Sequence, residues 1–105
     1  MRHVRFDVAT LSVEKVPVPL KAAYLLVAES DDSEVPQWEC LAYAIEAAPL
    51  PQGVHRVDIT TLDGRYLVGE AALVRSVEGT HVLRGAGELV GITSTDLDSP
   101  PSPSE

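Results

Sequence analysis

The sequence predicts an all-β fold: a small six-stranded antiparallel barrel or two-sheet sandwich whose C-terminal half is a β-meander. Three observations carry this expectation. Short runs alternate apolar and polar residues, as in Val4, Phe6 and Val8 against His3, Arg5 and Asp7, which is the period of a half-buried strand. Asp63-Gly64 and Glu78-Gly79 each separate two runs of strand character, the signature of a tight hairpin reversal. Gly69, Gly85, Gly87 and Gly91 recur in the second half, where glycine marks a bulge, a sharp bend or a close backbone approach. Strong curvature follows.

Taken in order, Val4 to Val13 is the first strand, interrupted by Pro17 and Pro19, neither of which can donate to a ladder. Ala22 to Glu29 is apolar at both parities, as in a strand buried on both faces. An acidic loop, Ser30 to Glu34, follows it. Residues 37–48 admit two readings. As a strand, Leu41, Tyr43 and Ile45 share a face; as a helix, Trp38, Leu41, Ala42 and Ile45 form a stripe between Pro36 and Pro49. Strands on either side favour the first, and an α+β fold with one helix at 37–48 is the alternative.

For residues 53–92, two-residue reversals place Leu62 opposite Arg65, Thr60 opposite Leu67 and Asp58 opposite Gly69. In the second hairpin they place Val77 opposite Thr80 and Leu73 opposite Arg84. One face then collects Val57, Ile59, Tyr66, Val68, Val74, Leu83 and Leu89, with His55, Glu70 and Ala72 among them. The other collects Arg56, Asp58, Thr60, Leu67, Leu73, Arg75, Val82, Arg84, Glu88 and Val90. The first is the expected core face. Residues 1–92 thus form a single β-domain. Residues 93–105 are expected to be a disordered Pro/Ser/acidic tail, because Leu97 is their sole large apolar residue beside Pro100, Pro101 and Pro103, too little to offset backbone ordering.

Composition narrows the function. The 105 residues carry a net charge of −8, which argues against a general binder of nucleic acid or anionic membrane. The longest apolar run, Ala22 to Ala28, falls well short of a bilayer span, and Met1 to Asp7 has no apolar signal core; a cytoplasmic location is expected. The single Cys40 excludes an internal disulfide. Asparagine is absent and arginine outnumbers lysine, a codon bias that points to a bacterium or its phage.

No constellation suits catalysis. His3, His55 and His81 lack metal-ligand spacing with one another or with Cys40, so no metal or cofactor is expected. Cys40 sits beside Glu39, where negative charge opposes a thiolate. Gly85, Gly87 and Gly91 depart from the GxGxxG spacing of a dinucleotide loop. Arg56, Asp58, Arg84 and Glu88 read as a solvated charged face. Residues 31–52 hold Asp31, Asp32, Glu34, Glu39 and Glu46 and no base, a concentration of charge able to steer a basic partner.

The expectation is therefore a non-enzymatic protein-interaction or assembly protein, such as a phage or particle component or an acidic inhibitor or immunity-type protein. It would act on a protein partner or another copy of itself through Asp31, Asp32, Glu34, Trp38 and Glu39. The alternative is a small-ligand-binding barrel or minor enzyme using the sheet interior around His55, Tyr66 and Glu70, with Glu70 as a buried carboxylate.

Overall fold

A computed structural model describes residues 2–29 and 36–91. The expected tail at 93–105 and the acidic loop Ser30 to Glu34, with Asp31, Asp32 and Glu34, lie outside the described residues. Seven strands are present among the described residues: β1 (Arg2–Val13), β2 (Val16–Val18), β3 (Leu20–Glu29), β4 (Gln37–Ala44), β5 (Val54–Thr61), β6 (Tyr66–Val77) and β7 (Thr80–Gly85). Neighbouring strands run β1-β3-β4-β7-β6-β5, and β5 pairs back onto β1. The fold is a closed six-stranded antiparallel barrel, with β2 as an added strand. Closure removes the sheet edges that an open sandwich would leave.

Local chemistry explains each reversal. Glu14 and Lys15 join β1 to β2, both at positive φ (51° and 67°). Pro19 divides β2 from β3, so the two strands occupy successive stretches of one edge of β1. Residues 37–44, ambiguous in sequence, form strand β4, paired with β3 on one side and β7 on the other. Two ladders saturate its backbone, and the helical alternative is thereby replaced.

Glu78 and Gly79 form the two-residue reversal expected, with φ of 51° and 84° and Val77 opposite Thr80. Asp63-Gly64 behaves differently. Only Gly64 has positive φ (94°), its N–H donates to Thr61 C=O at 3.0 Å, and Thr61 N–H donates to Arg65 C=O at 3.0 Å. The loop is thus Leu62-Asp63-Gly64, a three-residue turn closing on a left-handed glycine. One extra loop residue moves the register by one: Thr60 lies opposite Tyr66 and Asp58 opposite Val68. A slip of one flips every side chain of a strand. Tyr66, Val68, Glu70 and Ala72 consequently face outward, while Leu67, Gly69, Ala71 and Leu73 face in. A bulge between Leu73 and Arg75 shifts the pairing again and sets Leu73 opposite Leu83, with Val74 52% exposed.

The interior is filled. Val8, Leu11, Leu25, Val27, Cys40, Val57, Ile59, Leu67, Leu83 and Leu89 pack into one cluster with Trp38. Burying an aliphatic side chain of this kind contributes ~1.5–3 kcal/mol. The Trp38 indole donates from Nε1 to Gly87 C=O at 2.8 Å and takes the space that side chains on β6 and β7 would otherwise occupy. A Cβ on Gly85 would lie 2.3 Å from Trp38 Nε1, and one on Gly69 would lie 2.8 Å from Cζ2.

Candidate functional site

Outside the barrel, the strands alternate as their inner faces require. The outward positions of β5 and β6 carry a polar network. Tyr66 donates its hydroxyl to Asp58 Oδ2 at 2.5 Å, which raises the phenol above its ordinary pKa because the bond to a carboxylate favours the protonated form. Arg56 Nε lies 3.6 Å from Asp58 Oδ1, and Arg56 stands opposite Glu70. At the neighbouring turn Thr61 donates its hydroxyl to Asp63, and Arg65 Nε lies 3.1 Å from Asp63 Oδ2. The Thr61 hydroxyl, with Arg65 behind it, holds the Asp63 carboxyl below its ordinary range.

The outward face of β3, β4 and β7 is different. Asp7, Tyr24, Leu41 and Val82 follow one another across β1, β3, β4 and β7, and Arg5, Leu26, Glu39 and Arg84 form the next row. Ala22 stands opposite Tyr43. The Tyr24 and Tyr43 rings meet edge to face at 6.4 Å and 76°, an arrangement aromatic pairs prefer. Arg5 lies 4.1 Å over the Tyr24 ring. Leu26 is 43% exposed and Tyr43 37%. Charges rim this apolar band, including Glu39 and Arg84 at 3.6 Å.

A groove of about 710 Å³ crosses the same four strands beside the β3–β4 connection, lined among others by His3, Arg5, Leu26, Gln37, Glu39 and Arg84. It is continuous with the apolar band through Leu26, Glu39 and Arg84. The acidic connection bearing Asp31, Asp32 and Glu34 joins the two strands that form the middle of this surface.

The expected site residues distribute unevenly. Glu39 belongs to this surface. Trp38, next to it, points inward and is 3% exposed; the interior position on β4 makes it a packing residue that shapes the strand beneath Glu39. His55, Tyr66 and Glu70 do not converge. His55 follows the inward parity of Val57 and Ile59, sits at the barrel end, and has Nε2 2.6 Å from Pro51 C=O and Nδ1 3.6 Å from Glu14 Oε2. Tyr66 and Glu70 stand outside on β6. The expected buried carboxylate is thus corrected: Glu70 is solvated because the three-residue turn reverses its strand.

Among the described residues, two titratable groups are fully interior. Cys40 has no exposure, and burial pushes its thiol up to about 12. His81 is 1% exposed, its Nδ1 is 2.8 Å from Ser76 Oγ, and burial lowers its pKa because the imidazolium would lose hydration. Among the described residues no three His, Cys, Asp or Glu side chains are grouped to hold a metal ion, and no helix is long and apolar enough to cross a membrane.

Leu26, Tyr24, Leu41, Tyr43 and Val82 were not singled out as a site by sequence. The signal was the double-sided apolar character of Ala22 to Ala28 and of residues 38–45, which leaves greasy side chains outside once the barrel is filled. Comparison with protein-family models, with curated proteins and with solved structures gives no match.

Proposed function

We propose that this protein is a non-enzymatic protein-interaction module, of the kind that serves as a particle component or an acidic inhibitor. It engages its partner through the outward face of β3, β4 and β7. The observation that carries the reading is that Tyr24, Leu26, Leu41, Tyr43 and Val82 form a contiguous outward band over an interior already packed. Contiguous exposed apolar surface rimmed by polar groups marks protein contact sites. The aromatic content and charged rim match the anatomy of such interfaces.

Charge selects the partner. Glu39 lies on this face, the sequence joining β3 to β4 carries Asp31, Asp32 and Glu34, and the chain as a whole carries −8. Charge of this sign accelerates encounter with a basic surface. The complementary partner is therefore a protein presenting an apolar centre inside a basic rim. A ligand within the barrel is not part of this reading, because Leu25, Ile59, Leu67 and Leu83 occupy the space with no exposure.

The test uses immobilised full chain, a native lysate, and a variant carrying Leu26→Lys and Tyr43→Lys. A retained protein with a basic contact surface, lost in the double variant and weakened by salt, supports the reading. So does calorimetric binding of that protein, once purified, at one-to-one stoichiometry. Retention of nothing, or equal retention by the double variant, overturns it. Self-association of the pure chain in light scattering, abolished by the same substitutions, replaces the basic partner with a second copy.

A further inference from the structure

Residues 45–53 cross from β4 to β5 at one end of the barrel. This strap is exposed along its length except at Leu50, which is half-buried and packs against the core. Its ends are tied down. Ile45 N–H donates to Pro19 C=O at 2.9 Å, and Gly53 C=O accepts Leu73 N–H at 3.0 Å. Between these ties runs Pro49-Leu50-Pro51, in which Leu50 carries the sole amide hydrogen. That N–H donates to Ser76 Oγ at 2.8 Å.

Ser76 Oγ lies in turn 2.8 Å from His81 Nδ1. Counting protons orients the relay. The Leu50 amide can only donate, so the Ser76 oxygen accepts from it and turns its own hydrogen to His81. Nδ1 is then the bare nitrogen of a neutral imidazole whose proton sits on Nε2. Every donor has an acceptor. An imidazolium breaks this arrangement: two donors, one of them cationic, converge on the Ser76 oxygen, and the hydroxyl hydrogen loses its acceptor. The ring is 1% exposed, so water does not compensate the new charge in place.

We infer that Leu50, Ser76 and His81 form an acid-sensitive latch: protonation of His81 detaches the strap at Leu50 and opens this end of the barrel, while the ladders stay closed. The surrounding groups leave His81 as the trigger. Its ladder partners, Ala42 on β4 and Ser76 on β6, are uncharged. Tyr43, Arg75 and Glu78 beside them are exposed, as are Glu46 on the strap, Glu14 and Lys15 in the β1–β2 turn and Lys21 on β3. Cys40, inward on β4, remains a neutral thiol throughout the acid range. His55, inward on β5, donates from Nε2 to Pro51 C=O at 2.6 Å and has Nδ1 3.6 Å from Glu14 Oε2. Its protonation keeps the first bond and adds a proton towards a carboxylate, which holds the strap. Burial lowers the pKa of His81 with no charged group contributing. Detachment hydrates the ring and restores its ordinary proton affinity, so the open form gains as pH falls below ~6.5 towards the folded value. This device stands apart from the β3–β4–β7 face.

Amide exchange of Leu50 in the full chain between pH 8 and 4, corrected for intrinsic rates, tests the latch. Its protection is expected to fall by up to ~tenfold per pH unit below the folded pKa of His81, while Leu25 and Leu83 amides stay protected. Ring-nitrogen chemical shifts of the unaltered chain report the tautomer and the titration of each histidine. A bare Nδ1 on His81 at pH 8, with Leu50 protection lost on the His81 curve, supports the latch. A protonated Nδ1 at pH 8, a His81 neutral throughout, or Leu50 protection that ignores its titration overturns it. So does a loss that follows His55, or one shared with Leu25 and Leu83, which is opening of the whole barrel. In Ser76→Ala, Leu50 is expected to exchange about tenfold faster at pH 8 and no longer to follow His81; retained dependence refutes the relay. Should that variant lose Leu25 and Leu83 protection, the curves of the unaltered chain decide.

Discussion

The indole of Trp38 rests on the bare α-carbon of Gly85, so that the edge of one strand is shaped by the largest side chain of its neighbour. The expected consequence is asymmetric tolerance of two nearby glycines. Gly85→Ala drives a methyl to within 2.3 Å of Nε1, displaces the ring and strains its 2.8 Å bond to Gly87 C=O. A loss of about 3 kcal/mol follows, at the upper end of overpacking costs. Gly87→Ala meets nothing within 4 Å and shifts stability by less than ~0.5 kcal/mol. Urea denaturation followed by the emission of the single tryptophan measures both.

Cys40 is chemically silent while the barrel is intact. With no exposure and a thiol pushed up to about 12, it presents almost no thiolate at neutral pH. A disulfide reagent added at pH 8 is expected to react only as fast as the protein opens, and fully in denaturant. Prompt native-state labelling would contradict the burial. The linkage sign is that of a raised pKa: the contribution is intact below the unfolded value of ~8.5 and is lost as pH climbs towards 12.

His81 sets an opposite dependence on the acid side. Its folded pKa is lowered by burial, so the unfolded chain binds the proton more readily. Stability from this group is fully present above the unfolded pKa of ~6.5 and is lost as pH falls below it towards the folded value. One proton supplies at most ~1.4 kcal/mol per pH unit. Urea midpoints between pH 8 and 5 are expected to decline in the native protein and to flatten in His81→Gln.

The β1–β2 turn offers a stabilising change. Lys15 holds a φ of 67°, which costs an L-residue ~1–2 kcal/mol relative to right-handed conformations. Glycine removes that cost and gives back part of it as unfolded-chain entropy. Lys15→Gly is expected to gain ~0.5–1 kcal/mol, seen as a higher thermal midpoint, while Glu14 keeps accepting Arg56 N–H at 2.8 Å.

These details show what could be read from the residues alone. Barrel curvature, strand β4 and the Glu78-Gly79 reversal were legible, because glycine spacing and period-two alternation act locally. The faces of β6 were not. Asp-Gly serves a two-residue turn and the three-residue turn ending in Gly64 equally well, and the choice flips the strand. Side-chain bulk then misleads. Tyr66, Val68 and Val74 look like core, yet they stand outside. Gly69 and Ala71 line the interior, and at Gly69 the ring of Trp38, which comes from β4, occupies the space of a side chain. The turn sets which side of β6 faces in, and a tryptophan some thirty positions away in the sequence takes the space a larger residue than Gly69 would need. The outward face of β3, β4 and β7 was half visible: Glu39 stood out within an acidic stretch of the sequence. Its apolar members were hidden in runs whose outward half looks like ordinary core.

Because hydrogen bonds between Val8 and Thr61, and onward to Val13 and Val57, shut the ring, biosynthesis imposes a waiting period. The first hairpin emerges from the ribosome well before the segment that must sit beside it, and roughly fifty residues have to loop round for the two to meet. No nascent fragment ending short of that point has a finished interior. Ring formation is a single late event, and folding is expected on the millisecond-to-second scale of proteins dominated by distant pairings. Until then the newborn chain depends on chaperones or on speed to avoid sticking to its neighbours.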